Sequence, residues 1–174
     1  MFRSLERAEN TARLIEAGFR IALTRSTSAE AEWKSIIVTS AAQFAYEAKY
    51  SGYDSERVVN FLLRDTDNPS SVLSVIKSAR DNARLVRTAL TTEVWTSVNE
   101  TWMVLTKLLE TPIRQMELPA VLATIRQQSA VVRGALHGTM LRNDIYDFCR
   151  LGTFVERMDS TARIIDVKYY SLLP

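Results

Sequence analysis

Glu6-Arg7-Ala8-Glu9-Asn10-Thr11-Ala12-Arg13-Leu14-Ile15-Glu16 returns 150 residues later as Glu156-Arg157-Met158-Asp159-Ser160-Thr161-Ala162-Arg163-Ile164-Ile165-Asp166. Six of the eleven positions are identical and the other five keep similar character. The agreement is too dense for a shared helical bias. It means two related halves, or two helices meeting in similar environments. Around the first copy, Leu5, Ala8, Ala12, Ile15, Phe19 and Ala22 recur with gaps of three and four, which builds one apolar stripe on a helix over about 2–23. The second copy carries Met158, Ala162 and Ile165 at the same places, so a matching buried stripe is expected on a last helix over about 144–170. Ala12 and Ala162 would let a neighbouring helix come close, as would Gly18.

The polar residues of the repeat follow the same geometry. Glu9 to Arg13 and Asp159 to Arg163 are both spaced i,i+4, which on an exposed helix gives a local ion pair worth only about 0.2–0.5 kcal/mol. Half-buried pairs between helices matter more, because removing one partner strands the other charge in poor solvent. Two readings stand side by side: an interhelical network that fixes helix register, or a ligand or partner site. A carboxylate could also act as a base, given a suitable environment and substrate. Arg13, Arg84 and Arg163 are expected in one such network with Glu9, Glu16, Asp159 or Asp166.

Working outward, no segment shows the alternation of a strand. Only 5 Gly and 4 Pro interrupt 174 residues, and 47% of the chain is hydrophobic against 24% charged. A polar break at Thr24–Ala29 precedes a helix near Glu30–Lys49. Ser51-Gly52-Tyr53-Asp54 ends it, and a short helix runs through Leu63. Asn68-Pro69 reads as a helix start, with Asn68 as cap and Pro69 in the first turn. Thr91 or Thr92 caps a further helix, and Pro119 sits in the first turn of the next, which ends near Gly138. The expected fold is all-α, a multi-helix bundle of about six or seven helices in a single domain spanning 1–174.

The formal charge is +2, so bulk electrostatics give no support to specific nucleic acid binding. Of the 22 basic residues, 17 are Arg and 5 are Lys, which favours planar recognition of carboxylates or phosphates. Arg80, Arg84 and Arg87 share a helix face beside Lys77 and form either an anion surface or a solvated, ion-paired stripe. Cys149 is the only cysteine, which excludes an intrachain disulfide and suits a cytoplasmic setting. No apolar run is long enough for membrane insertion. There is no histidine cluster, no acidic metal spacing and no glycine-rich phosphate cradle, so neither metal nor cofactor is expected. His137 reads as a helix-end residue, Cys149 as a small buried apolar one, and Trp33, Trp95 and Trp102 as core anchors.

Four blocks, taken together, resemble the bacterial alpha-E domain family, named for its helices and its Glu-Arg motif. They are Leu5–Arg13, Asp67–Ser71, Ala79–Arg84 and Phe154–Arg163, and the closing Asp166–Tyr170 also fits. Typical members are longer, so the resemblance implies a short or incomplete member. It also implies a noncatalytic accessory or scaffold role in peptide synthesis or modification, because such proteins are often encoded beside ATP-grasp peptide ligases and transglutaminase-like proteins. The alternative is an enzyme acting on a peptide or other anionic substrate through the acid–arginine cluster. Either way, the ligand or partner-binding candidates are Glu6, Arg7, Glu9, Arg13, Arg80, Arg84, Arg87, Glu156, Arg157, Asp159 and Arg163. The expected partners are one of those two protein classes and an acidic peptide or phosphate, and an oligomer is compatible with this reading.

Overall fold

The computed structural model describes residues 1–24 and 29–172, so residues 25–28 of the expected polar break lie outside it. Among the described residues there are eight α-helices and no strand. They are α1 (Phe2–Thr24), α2 (Ala29–Thr39), α3 (Gln43–Glu47), α4 (Ser55–Leu63), α5 (Val72–Leu85), α6 (Thr92–Leu108), α7 (Leu118–Thr139) and α8 (Asp144–Leu172), with a 3-10 turn at Arg87–Ala89. None is long and apolar enough to cross a membrane.

The count exceeds six or seven because the segment expected as one helix over Glu30–Lys49 is broken. At Ser40–Ala42 the chain closes α2 with Ala41 N–H on the Val38 carbonyl and Ala42 N–H on the Ile37 carbonyl. Ala41 takes φ 55°, the left-handed conformation this helix ending requires. No glycine marks the spot, so sequence reading passes over it.

A second boundary also moves. Asn68 does not cap α5; Ser71 does, accepting from the Ser74 amide at 3.2 Å. Asn68 is buried and ties the preceding turn together, donating to the Phe61 carbonyl and accepting from the Ser70 amide. Thr91 caps α6, and Pro119 lies in the first turn of α7.

α1 is the hub. Its stripe of Leu5, Ala8, Ala12 and Ile15 is fully covered, with α5 and α7 packed against the helix. Ala79 and Ala83 of α5 are also wholly buried, which lets the two backbones approach. α2 crosses near the end of α1. There a β-carbon on Gly18 would lie 2.1 Å from Ile36 Cδ1, so any larger residue forces the Ile36 side chain to shift. α7 runs antiparallel to α1: Arg126 reaches Glu16, and Arg133 reaches Glu9.

α8 lies on the open side of α1, and the two run parallel. Gly152 sits beside Phe2 and Arg3, Glu156 and Arg157 meet Glu6 and Arg7, and Ile164 shares a cleft with Leu14. Residue i therefore faces residue i + 150 across the seam. The repeated segments lie in register, related by an approximate two-fold along the helices.

The expected second stripe is not buried. Met158 is 70% exposed, Ile165 62%, and Ala162 is exposed as well. α8 turns its polar face to α1, so the motif helices pack through their Glu-Arg faces rather than their matching apolar stripes.

Candidate functional site

The Glu-Arg pairs of the two motifs exchange partners across the α1–α8 seam. Arg157 Nε donates to Glu6 Oε1 at 2.9 Å. In return, Arg7 forks onto both oxygens of Glu156, with Nη2 3.1 Å from Oε2. Arg3 Nε adds a third donor to Glu156 at 3.1 Å. Both glutamates are only 3% exposed, whereas their arginines keep one edge in solvent. Burying a carboxylate is costly unless it is paired and hydrogen-bonded. The Glu156 contact holds Arg7 firmly protonated, and the Glu6 contact does the same for Arg157.

A second layer joins α1 to α7. Glu9, 4% exposed, is held by Arg13 from its own helix at 2.7 Å and by Arg133 from α7. Burial disfavours its charge, but the two guanidiniums outweigh that and keep its pKa below the ordinary value. Glu16 is bridged the same way, by Arg20 at 3.1 Å and Arg126 at 2.8 Å. Sequence reading missed Arg126 and Arg133. A signal was available: they are seven residues apart, as are Glu9 and Glu16, and antiparallel helices bring such pairs together.

An interhelical acid–arginine network is present, but not the expected one: of Arg13, Arg84 and Arg163 only Arg13 belongs to it, through the Glu9 that Arg133 also holds. Arg13 and Arg163 make local i,i+4 pairs, Arg163 with Asp159 at 3.0 Å. Arg84 is not part of it. It is exposed, and among the described residues it forms no ion pair with Glu9 or Asp159. Its neighbours are used elsewhere. Arg80 stacks 4.2 Å above Trp102 and donates to Asn99, and Arg87 lies over Trp95 at 5.4 Å. Trp95 and Trp102 are accordingly half-buried platforms for arginines, while Trp33 alone is fully in the core. α5 turns Arg80 and Arg84 away from the motif helices because its buried Ala79–Ala83 face is the packed one, and Arg87 follows in the 3-10 turn beyond it.

One side of the seam opens into a cleft of about 270 Å³. Arg7, Asn10, Ser70, Asp159, Ser160 and Arg163 line it, with the left-handed turn at Ala41 on its rim. Ser70 lies 3.5 Å from Arg7 Nη1, so the Asp67–Ser71 block meets the motif here. Adjoining it, and sharing Asn10, Leu14 and Ile164 with it, is a more apolar cleft of similar size that extends to Gly18 and Ile36, with Arg13 and Arg157 at its edge. Of the candidate residues, Arg7, Glu156, Asp159 and Arg163 converge on the polar cleft, and Arg13 and Arg157 on the apolar one. Arg80, Arg84 and Arg87 join neither. No group of three or more His, Cys, Asp or Glu among the described residues is placed to hold a metal ion.

His137 hydrogen-bonds Tyr146 at 2.7 Å, and burial with nearby arginines lowers its pKa. Burial raises that of Cys149, which leaves its thiol a poor nucleophile.

No curated protein and no solved structure matches this chain. A family model does, over residues 1–174: Alpha-E, described as a predicted alpha-helical domain with a conserved ER motif. The Glu-Arg pairs that exchange partners across the α1–α8 seam stand in a chain that belongs to the Alpha-E family.

Proposed function

We propose that this protein is a noncatalytic helical accessory or scaffold component of a peptide-synthesis or peptide-modification system, and that its polar cleft receives an acidic peptide or a phosphate group. The observation that carries this reading is the commitment of the motif carboxylates. Glu6 and Glu156 are buried and held by arginines from the opposite motif helix, so neither is placed to move a proton on a substrate. The Arg163 side chain, in contrast, is 42% exposed and among the described residues is paired only with Asp159 on its own helix, a contact an anionic ligand can exchange for its own. The setting in peptide chemistry, with an ATP-grasp ligase or transglutaminase-like partner, rests on the family resemblance.

The second reading is an enzyme acting on a peptide or other anionic substrate through this cluster. One feature favours it: Glu6 Oε2 is buried with no hydrogen-bond donor among the described residues, and Arg133 stands 3.8 Å from it. Glu6 lines neither cleft, however, which leaves it without access to a substrate.

Titration calorimetry with inorganic phosphate and with a glutamate-rich peptide separates these readings. Saturable binding that Arg163→Ala weakens at least about tenfold, with thermal stability unchanged, is expected. Absence of binding by both probes would remove the cleft from the proposal. Turnover of a peptide by the isolated chain, lost in Glu156→Gln with the fold intact, would establish the enzyme instead.

A further inference from the structure

α8 carries an apolar stripe that no described residue covers. Phe148, Leu151, Val155, Met158, Ala162 and Ile165 follow one another at gaps of three and four, on the face opposite α1. Phe148 is 72% exposed, Leu151 55%, Met158 70% and Ile165 62%. Together they leave on the order of 600 Å² of apolar surface bare, at the upper end of what a monomer tolerates and most of one side of a standard interface.

The two-fold relation between α1 and α8 specifies what fits there. Leu151, Val155, Met158, Ala162 and Ile165 occupy the places of Met1, Leu5, Ala8, Ala12 and Ile15. On α1 that stripe is covered, and α7 supplies one of its covering layers. α7 recognises α1 by charge as well as shape: Arg126 and Arg133, seven residues apart, meet Glu16 and Glu9 beside the stripe. The counterparts on α8 are Asp166 and Asp159, also seven apart and beside the bare stripe. Asp166 is exposed and Asp159 half-exposed, and among the described residues Asp159 makes one ion pair, with Arg163, while lying in the field of Arg7.

We propose that the outer face of α8 docks a partner helix of α7-like chemistry, antiparallel to α8. That helix carries an apolar stripe flanked by two arginines or lysines seven residues apart, which engage Asp159 and Asp166. Charge complementarity favours such a helix over a second copy of the chain. Its own α7 is already committed to its own α1, and two copies of α8 facing each other antiparallel would bring aspartate flank against aspartate flank. Docking would add a wall beside the polar cleft, because Asp159 and Arg163 border both surfaces. It does not depend on what the cleft holds.

The probe is a labelled synthetic peptide of residues 118–139, the α7 sequence, titrated into the full chain and followed by fluorescence anisotropy. Saturable binding with one peptide per chain is expected. It should weaken about tenfold in Asp159→Asn/Asp166→Asn, weaken equally for a peptide with Arg126→Gln and Arg133→Gln, and vanish in Ile165→Asp. These chain positions are exposed, so the variants keep the fold, which circular dichroism checks. Binding indifferent to the α8 substitutions would mean the peptide competes for α1, and would overturn the proposal, as would no binding at all. A dimer in sedimentation that Ile165→Asp dissolves would give the face to a second copy and also overturn it. Phosphate binding through Arg163 is read separately, so failure here and failure of the cleft reading are distinct results.

Discussion

Glu6 and Arg157, 151 positions apart in the chain, are joined by a 2.9 Å hydrogen bond, and the residues next to each, Arg7 and Glu156, make the reciprocal bond. The Glu-Arg dipeptide is thus a two-part lock: each copy supplies the acid for the other's arginine. Such a pair favours the parallel register of α1 and α8, because a slip of one turn would break both reciprocal bonds and leave Glu156 with Arg3 at most and Glu6 with Arg133 alone.

Breaking the lock should cost more than a surface ion pair. Arg7→Ala leaves Glu156 with Arg3 alone and should destabilise the protein by about 2 kcal/mol, below the 3–5 kcal/mol of a fully buried pair because Arg7 keeps one edge in water. A double-mutant cycle of Arg7→Ala with Glu156→Ala in urea unfolding should return a coupling of about 1–3 kcal/mol. A coupling near zero would mean that the register is set by apolar contacts alone.

Gly18 makes a second, local prediction. A methyl group there would fall on the buried Ile36 side chain, which must turn toward the adjoining apolar cleft to clear it. Gly18→Ala should therefore cost about 1–3 kcal/mol despite the better helix propensity of alanine. Combining it with Ile36→Ala, which removes the colliding atoms, should give a loss smaller than the sum of the two single losses.

Much of the helical layout was legible because α1, α6, α7 and α8 are long and strongly periodic, with caps or breaks at Thr91, Pro119 and Gly138. The α2–α3 break was not, because alanine rather than glycine occupies the left-handed position at Ala41. The repeat announced that the motif helices are related, yet periodicity gives only which residues share a face, not which face meets the neighbour. α1 buries the Ala8–Ala12 stripe under α5 and α7, whereas α8 has no such layer and presents its Glu156 face to α1. The local pairs of Arg13 and Arg163 follow from i,i+4 spacing. The pairs that cross between helices needed the direction of α7, and Arg84 was misplaced because Ala79 and Ala83 take the packed face of α5.

Ala41 is also a point where the sequence is not at its stability optimum. At φ 55° a β-carbon is strained, and the two backbone hydrogen bonds that close α2 require this conformation. Ala41→Gly should stabilise the protein by about 0.5–1 kcal/mol, the relief of strain exceeding the added freedom of the unfolded chain. The melting temperature checks it. A decrease would mean that the alanine methyl packs usefully at the rim of the polar cleft.

Glu9 gives the fold a dependence on acidity. Its folded pKa lies below the ordinary glutamate value of 4.5 because Arg133 and Arg13 outweigh the burial penalty. A depressed carboxylate pKa means that the unfolded chain binds the proton more readily. The stabilisation is therefore complete above about pH 5.5, begins to fall as the pH drops past 4.5, and is lost once the pH passes below the folded pKa. Exposed Glu47 and Glu117, whose pKa values are also lowered by hydrogen-bonded partners, add to the same acid slope, so the wild-type curve alone does not isolate Glu9. The difference curve does. Glu9→Gln should be less stable than the wild type at pH 7, because Arg133 loses its buried partner, and that deficit should shrink as the pH falls from 5.5 toward 3. Urea unfolding at a series of pH values measures it. A deficit that stays constant through that range would mean that Glu9 holds α7 by packing and hydrogen bonding rather than by its charge.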